Sequence, residues 1–368
     1  MHKRLGFFVY TVVILLFCVI ATNAYHLQRP TWMIKKHVVI TKKTKHFKNN
    51  LNAFNTPYQH AISLVQSSKN EVLAAWYAGS AEHKPDVVLM LARYNIKQHR
   101  WSNIHSILTT KTLIQQQQRY VHTLGNPILA KQNKTILLFF VSPFAGWSTS
   151  HIQLMSSNDN GRHWSVPKEL KTSAFFNIST SIRGTPLHYN NGAIAVPTYT
   201  ELFKPNASLL TINDKKNISN LVNVSWNQHS LQPSIVAFNK SDAVALLRHY
   251  GTGPKRVQAS ITHDAGLHWT FLGNTTLPNP DAGVSAIMLN NKILLAYNPS
   301  TENRETLALA LGSKNLKQWK NIKILSSHTN AEFSYPYTIR LNNGDFMLGY
   351  TAPNMMKSIY FNKAWLQP

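Results

Sequence analysis

The residues of this 368-residue chain best suited to chemistry are arginines and a tyrosine at the ends of short apolar runs. Arg248 closes the run 243–247, and Arg304 stands just before the run 307–311. Tyr335 opens Tyr335-Pro336-Tyr337-Thr338-Ile339-Arg340, which leads through Asn342-Asn343-Gly344-Asp345 into another apolar run, 346–350. A planar guanidinium fork matches a carboxylate. Each arginine could instead serve an internal salt bridge, but 38 Lys+Arg face only 14 Asp+Glu. Many arginines therefore lack an acid of their own, which favours a ligand anion as partner. Carboxyls able to move a proton are few: Glu82 and Asp86 share one loop, Glu201 follows a strand end, and Glu332 lies beside Tyr335.

These groups need elements to hold them. Apolar stretches of four to eight residues recur from residue 72 to residue 350, bounded by Gly, Asn, Asp and Pro. None sustains a helical stripe over three turns, so the pattern predicts an all-β chain of many short strands. Ser157-Asn158-Asp159-Asn160-Gly161-Arg162-His163-Trp164 and Thr262-His263-Asp264-Ala265-Gly266-Leu267-His268-Trp269 share the form Ser/Thr-x-Asp-x-Gly-x-x-Trp, and Ser313 to Trp319 is a shortened relative. Each follows an apolar run, as a hairpin turn should: Asp accepts backbone N–H bonds, Gly supplies a positive φ, and Trp packs back between strand layers. Counting Trp101 at the end of a degenerate copy, the Trp spacings are 63, 105 and 50 residues. The 105-residue interval is near two periods, as if one unit had lost its signature. Periods of this size built from four short strands are propeller blades. The expected fold is a six-bladed β-propeller of four-stranded antiparallel blades.

Composition bounds the rest. With 43% hydrophobic residues the chain can bury a large core, which excludes a wholly disordered protein. The formal charge of +24 predicts attraction to anionic partners: acidic glycans or an anionic membrane surface. No zinc pattern, basic amphipathic helix or Gly-Phe-rich RNA motif accompanies the charge, so nucleic acid is not expected as a partner. His2, Lys3 and Arg4 precede an apolar run, 5–21, and Thr22-Asn23-Ala24 offers small residues for cleavage. That layout predicts a signal peptide or signal anchor over 1–24 and an exported body, either periplasmic, secreted or membrane-anchored. The single cysteine, Cys18, falls in this leader, so no disulfide or thiolate metal site is expected beyond it. No phosphate loop or metal-ligand cluster points to a cofactor. The expected partition is leader 1–24, basic lead-in 25–52 carrying the β-like run Val38-Val39-Ile40, and propeller 53–368.

The eight-residue turn is the Asp-box, and its repetition at blade spacing resembles the bacterial sialidase superfamily, in its BNR-repeat branch, over roughly residues 55 to 362. The resemblance implies a retaining exo-glycosidase that removes a terminal acidic sugar, with three arginines on the sugar carboxylate, a Tyr nucleophile assisted by a Glu, and an acid/base carboxyl. It maps Tyr335 to the nucleophile, Arg248 to the middle arginine and Arg304 to the last. The first-blade loop Trp76 to Asp86 matches the acid/base loop, with Glu82 the favoured acid and Asp86 the next choice. Two positions depart from the pattern. Gln232, sixteen residues before Arg248, stands where the assisting Glu belongs, and an amide cannot take up a proton; Glu201 and Glu332 are the substitutes within the chain. His60 stands where the first arginine belongs. It could meet a carboxylate when protonated, and Arg183 or Arg93 could supply the missing guanidinium. These departures leave open a propeller that binds an acidic glycan without cleaving it, or an enzyme of the same fold acting on another acidic sugar.

Overall fold

The computed structural model describes residues 30–34, 43–52, 56–173, 177, 179–202, 204–226 and 229–367. The leader and residues 25–29 and 35–42 of the lead-in, the run Val38-Val39-Ile40 among them, lie outside the described residues.

The short apolar runs form the strands of six antiparallel sheets arranged as the blades of a propeller. Blade 1 comprises Tyr58–Ser68, Glu71–Gly79, Val88–Asn95 and Arg100–Thr109. Blade 2 comprises Gly125–Gln132, Thr135–Val141, Ile152–Ser157 and Lys168–Leu170. Blade 3 has a broken inner edge, Ser181–Ile182 and Leu187–His188, followed by Ile194–Thr200, Asn206–Ile212 and Ile218–Asn223. Blade 4 comprises Ser230–Ala237, Ala243–His249, Arg256–Thr262 and Thr270–Pro278. Blade 5 comprises Ser285–Leu289, Lys292–Tyr297, Thr306–Ser313 and Trp319–Ser327. Blade 6 contributes Ser334–Arg340, Phe346–Ala352 and Met355–Phe361. Its fourth strand is His46–Leu51, paired antiparallel from His46 opposite Phe361 to Leu51 opposite Met356. Residues assigned by sequence to the lead-in thus complete the last blade and close the ring. Trp32, also upstream of the blades, is buried in a stack on Tyr189 with 4.5 Å between ring centroids.

Between blades 1 and 2 runs the helix Thr110–Gln117, started by the Thr109 side chain accepting the Thr112 N–H. No described helix is long and apolar enough to cross a membrane.

The boxes are hairpin turns between the third and fourth strands of blades 2, 4 and 5. In blade 2, Asp159 Oδ1 accepts the N–H groups of Arg162 and His163 at 3.0 and 2.9 Å, and Ser157 Oγ accepts Gly161 N–H at 2.8 Å. In blade 4, Asp264 Oδ1 accepts His268 N–H at 2.9 Å and Thr262 Oγ1 accepts Gly266 N–H at 3.0 Å. Gly161 and Gly266 have φ of 78° and 84°, where a Cβ would be strained and would also meet Leu73 and Trp32, each at 2.9 Å. Blade 3 has no such turn, which accounts for the doubled Trp interval.

A second recurring device lies at the hub. Four inner strands begin with a bulge whose first residue is left-handed: Ala61 (φ 58°), Asn126 (φ 46°), Gln232 (φ 48°) and Tyr335 (φ 51°). At each the register with the second strand slips, between His60 and Ser63, Gly125 and Ile128, Leu231 and Ser234, and Ser334 and Tyr337. Three of the four are followed by proline, which has no N–H to give a ladder and is therefore accommodated at a bulge. A bulge re-aims a side chain, and non-glycine residues held at positive φ concentrate at functional sites.

Candidate functional site

The bulge of blade 6 sets Tyr335 among three guanidiniums. Its hydroxyl accepts a hydrogen bond from Arg248 Nη1 at 3.1 Å. The Arg304 guanidinium lies 5.7 Å from the centre of its ring and that of Arg183 lies 5.3 Å away. His60, on blade 1, approaches the same ring edge-on with centroids 4.3 Å apart. Arg248, Arg304 and Tyr335, separated in sequence by up to 87 residues, therefore meet at one end of the hub.

Each arginine is held differently. Arg248 Nε donates to Asp281 Oδ1 at 2.6 Å. Burial weakens its hold on the proton, but facing Tyr335 and Asp281 oppose this and keep the guanidinium above its ordinary value. Arg304 donates to Glu332 Oε1 at 2.9 Å and to the Asp281 carbonyl at 2.5 Å. Asp281 thus grips both, one through its carboxylate and one through its backbone. Burial would raise the Glu332 carboxyl, but Ser334, which donates at 2.6 Å, and Arg304 hold it below its ordinary value.

Arg183 is buried and directed inward. It donates to the carbonyls of Ile62 at 3.0 Å, Tyr335 at 2.7 Å and Pro336 at 3.3 Å, so blade 3 is tied across the axis to blades 1 and 6. Its described partners are backbone oxygens, which makes it a strut beneath Tyr335 and not the missing third fork. Arg93 is engaged elsewhere: it pairs with Glu71 at 3.1 Å and donates to the Asn160 carbonyl of the blade 2 Asp-box at 2.9 Å. It joins two blades and takes no part in the group around Tyr335.

His60 is also corrected. Burial, reinforced by Arg183, Arg304 and Arg248 and only partly offset by Glu332, lowers its pKa to about 3. This setting favours the neutral imidazole, so His60 is poorly suited to act as a protonated carboxylate binder.

Gln232 turns toward a tyrosine other than Tyr335. Its Nε2 donates to Tyr199 Oη at 3.3 Å, and Asn126, at the corresponding bulge of blade 2, donates to the same oxygen at 3.2 Å. Gln232 Oε1 is buried with no partner. A Cβ on Gly283 would lie 2.8 Å from that oxygen, so a side chain there would displace the amide. Burial, Glu201 and Tyr335 push Tyr199 up to about 12. Half-buried Glu201 has its carboxyl raised by burial, with Arg248 pulling the other way.

The two carboxyls of the blade 1 loop separate cleanly. Glu82 accepts from Tyr77 Oη at 3.3 Å, and Tyr77 lies edge-on to His60 with centroids 5.6 Å apart. Asp86 accepts the Ser80 N–H and hydroxyl, both at 2.9 Å, and so closes the loop on itself. Among the described residues no group of three or more His, Asp or Glu gathers as a metal site.

Sequence reasoning missed Asn126, Tyr199 and Asp281. The signal for Asn126 was present: Asn126-Pro127, Gln232-Pro233 and Tyr335-Pro336 each place a side-chain donor before proline at the start of an inner strand. Nothing local distinguishes Asp281, whose partners lie 33 and 23 residues away.

A family model described as a BNR repeat-like domain matches residues 70–348. No curated protein sequence matches the chain. Among solved structures, the Hadza microbial sialidase Hz136 superposes with a TM-score of 0.69 at 14% identity, over 83% of this chain and 65% of that one. The intramolecular trans-sialidase of Ruminococcus gnavus superposes with 0.69 at 14% identity, over 86% and 97%. A Dyadobacter fermentans protein described as of unknown function gives 0.68 at 15% identity, over 88% and 100%. At such identities the likeness is one of fold. With the family model spanning most of the propeller, the chain belongs to the BNR repeat-like domain family.

Proposed function

We propose that the hub binds a terminal acidic sugar of an extracytoplasmic glycan and releases it by a retaining mechanism, with Tyr335 as nucleophile. The carrying observation is the 3.1 Å contact between Tyr335 Oη and Arg248 Nη1. A guanidinium at that oxygen favours the phenolate, and an attacking phenol meets less repulsion from an anionic sugar than a carboxylate would. The sugar carboxylate takes the forks of Arg248 and Arg304, in exchange for part of their contact with Asp281 and Glu332. Tyr335 oxygen then bonds to the anomeric carbon while its proton passes to Glu201, whose burial favours the protonated form. The glycosidic bond breaks as Glu82 protonates the leaving oxygen. In the second half Glu82 takes a proton from water, the water oxygen replaces Tyr335 at the anomeric carbon, and Glu201 returns the proton to the phenol. The leader expected over 1–24 and the positive surplus support a site of action outside the cytoplasm, at anionic surfaces.

Binding without cleavage is the second reading, and Gln232 favours it, because the amide cannot serve as the base that the assisting position calls for. The test is release of 4-methylumbelliferone from its sialoside and from an equivalent uronide, beside Tyr335→Phe. Wild type should turn over one of them, and Tyr335→Phe should lose at least about 10³-fold. No release from either, with sialyllactose still bound, would leave the binding reading in place and remove the hydrolase.

A further inference from the structure

Arg183 divides the central channel. On one side lies the Tyr335 group; on the other, the far ends of the inner strands of all six blades enclose a cavity of about 640 Å³. That volume lies in the range of small-molecule sites. Its walls are largely apolar, with Leu64, Leu129, Ile235, Ala286 and Ile339 among them, and Met33 and Ile34 at the edge remain 41% and 45% exposed. The strand ends and a hairpin turn at its mouth bring Arg340, Lys69 and Lys131, whose ammonium also donates to the Ser67 carbonyl, and the described lining contains no Asp or Glu. Four polar groups in the described lining are buried without a partner, Trp32 Nε1, Tyr337 Oη, Thr338 Oγ1 and Arg340 Nε. Arg340 lies over the Phe346 ring at 5.4 Å, and burial lowers its hold on the proton with no facing carboxylate to offset it. A half-buried guanidinium in such a setting is stabilised by an incoming anion, and apolar walls ask for an apolar body behind that anion.

We propose that this cavity binds a long-chain carboxylate, its hydrocarbon lying along the inner strands and its head group meeting Arg340, Lys131 and Lys69. The site is separate from the hub reading, since it uses the opposite ends of the inner strands and none of the residues around Tyr335.

The experiment is displacement of cis-parinaric acid from the full chain, read by its fluorescence, with sodium oleate, oleyl alcohol and inorganic phosphate as competitors. Oleate should displace the probe, oleyl alcohol should do so at least about tenfold less well, and phosphate should have no effect. The double variant Arg340→Met/Lys131→Met should bind the probe at least about tenfold more weakly, Arg340→Lys should recover part of the loss, and Lys363→Met, outside the cavity, should match wild type. Absence of parinarate binding would overturn the proposal. So would equal binding by the double variant, or retention of phosphatidylglycerol vesicles without binding of free oleate, which would assign the effect to surface charge.

Discussion

Rim and hub both depend on carboxylates, but they satisfy them in different ways. At the rim, Asp159 and Asp264 take backbone N–H groups no more than four residues away, and each adds a 2.6 Å contact to the histidine four positions on. At the hub, Asp281 and Glu332 take guanidiniums from segments 33 and 28 residues away. A rim box is a local turn that forms from its own eight residues. The hub exists only once the ring has closed, so its charges can be rearranged for chemistry without loss of the turns that hold the blades.

Four substitutions sharpen that contrast, beginning with the largest effect. Tyr335→Phe should abolish turnover while moving the urea unfolding midpoint little, since the hydroxyl's described bond is to Arg248. A large drop in stability together with lost activity would make Tyr335 a structural residue. Arg183→Ala should do the reverse, costing about 3–5 kcal/mol by removing a buried charged strut and leaving three carbonyls without their donor. Equilibrium urea unfolding reads the loss, and an unchanged midpoint would show that the blades need no tie across the axis. Asp264→Ala at the rim should cost about 1–2 kcal/mol, in line with other side-chain caps, and should leave kcat/KM for the hub reaction unchanged.

The smallest effect is a pH dependence. His60 is held neutral down to about pH 3, whereas an unfolded histidine titrates at 6.5. Between those values the unfolded chain binds the extra proton, so stability falls as pH is lowered from 6.5 toward 3. His60→Asn should flatten this part of the stability profile in urea titrations; a profile as steep as that of wild type would assign the fall to other groups.

Six blades, their antiparallel order and the box turns were legible because each signal lies within a few residues: a run of apolar side chains, an Asp, a Gly, a Trp. The grouping of Arg248, Arg304 and Tyr335 was legible only through resemblance to a family, since spacing alone carries no information across 87 residues. Arg183 and Arg93 show the limit of residue type as evidence. Both are arginines at strand positions, yet one donates to buried carbonyls and the other pairs with Glu71, and each partner was set by packing between blades. A lone histidine such as His60 gives no sign in sequence of the three guanidiniums around it, so its sequence leaves a protonated contact and a buried neutral ring equally open.

The strand His46–Leu51 pairs with Met355–Phe361, so the first blade-forming residues to leave the ribosome wait for nearly the last. Blades 1 to 5 complete their strands from contiguous sequence, but the seam is sealed only once Met355–Phe361 has emerged. A nascent chain therefore presents His46–Leu51 as an unpaired edge until Met355–Phe361 is made. A chain cut short before residue 355 would leave that edge without its partner, which makes the strand Met355–Phe361 a checkpoint for closure of the ring.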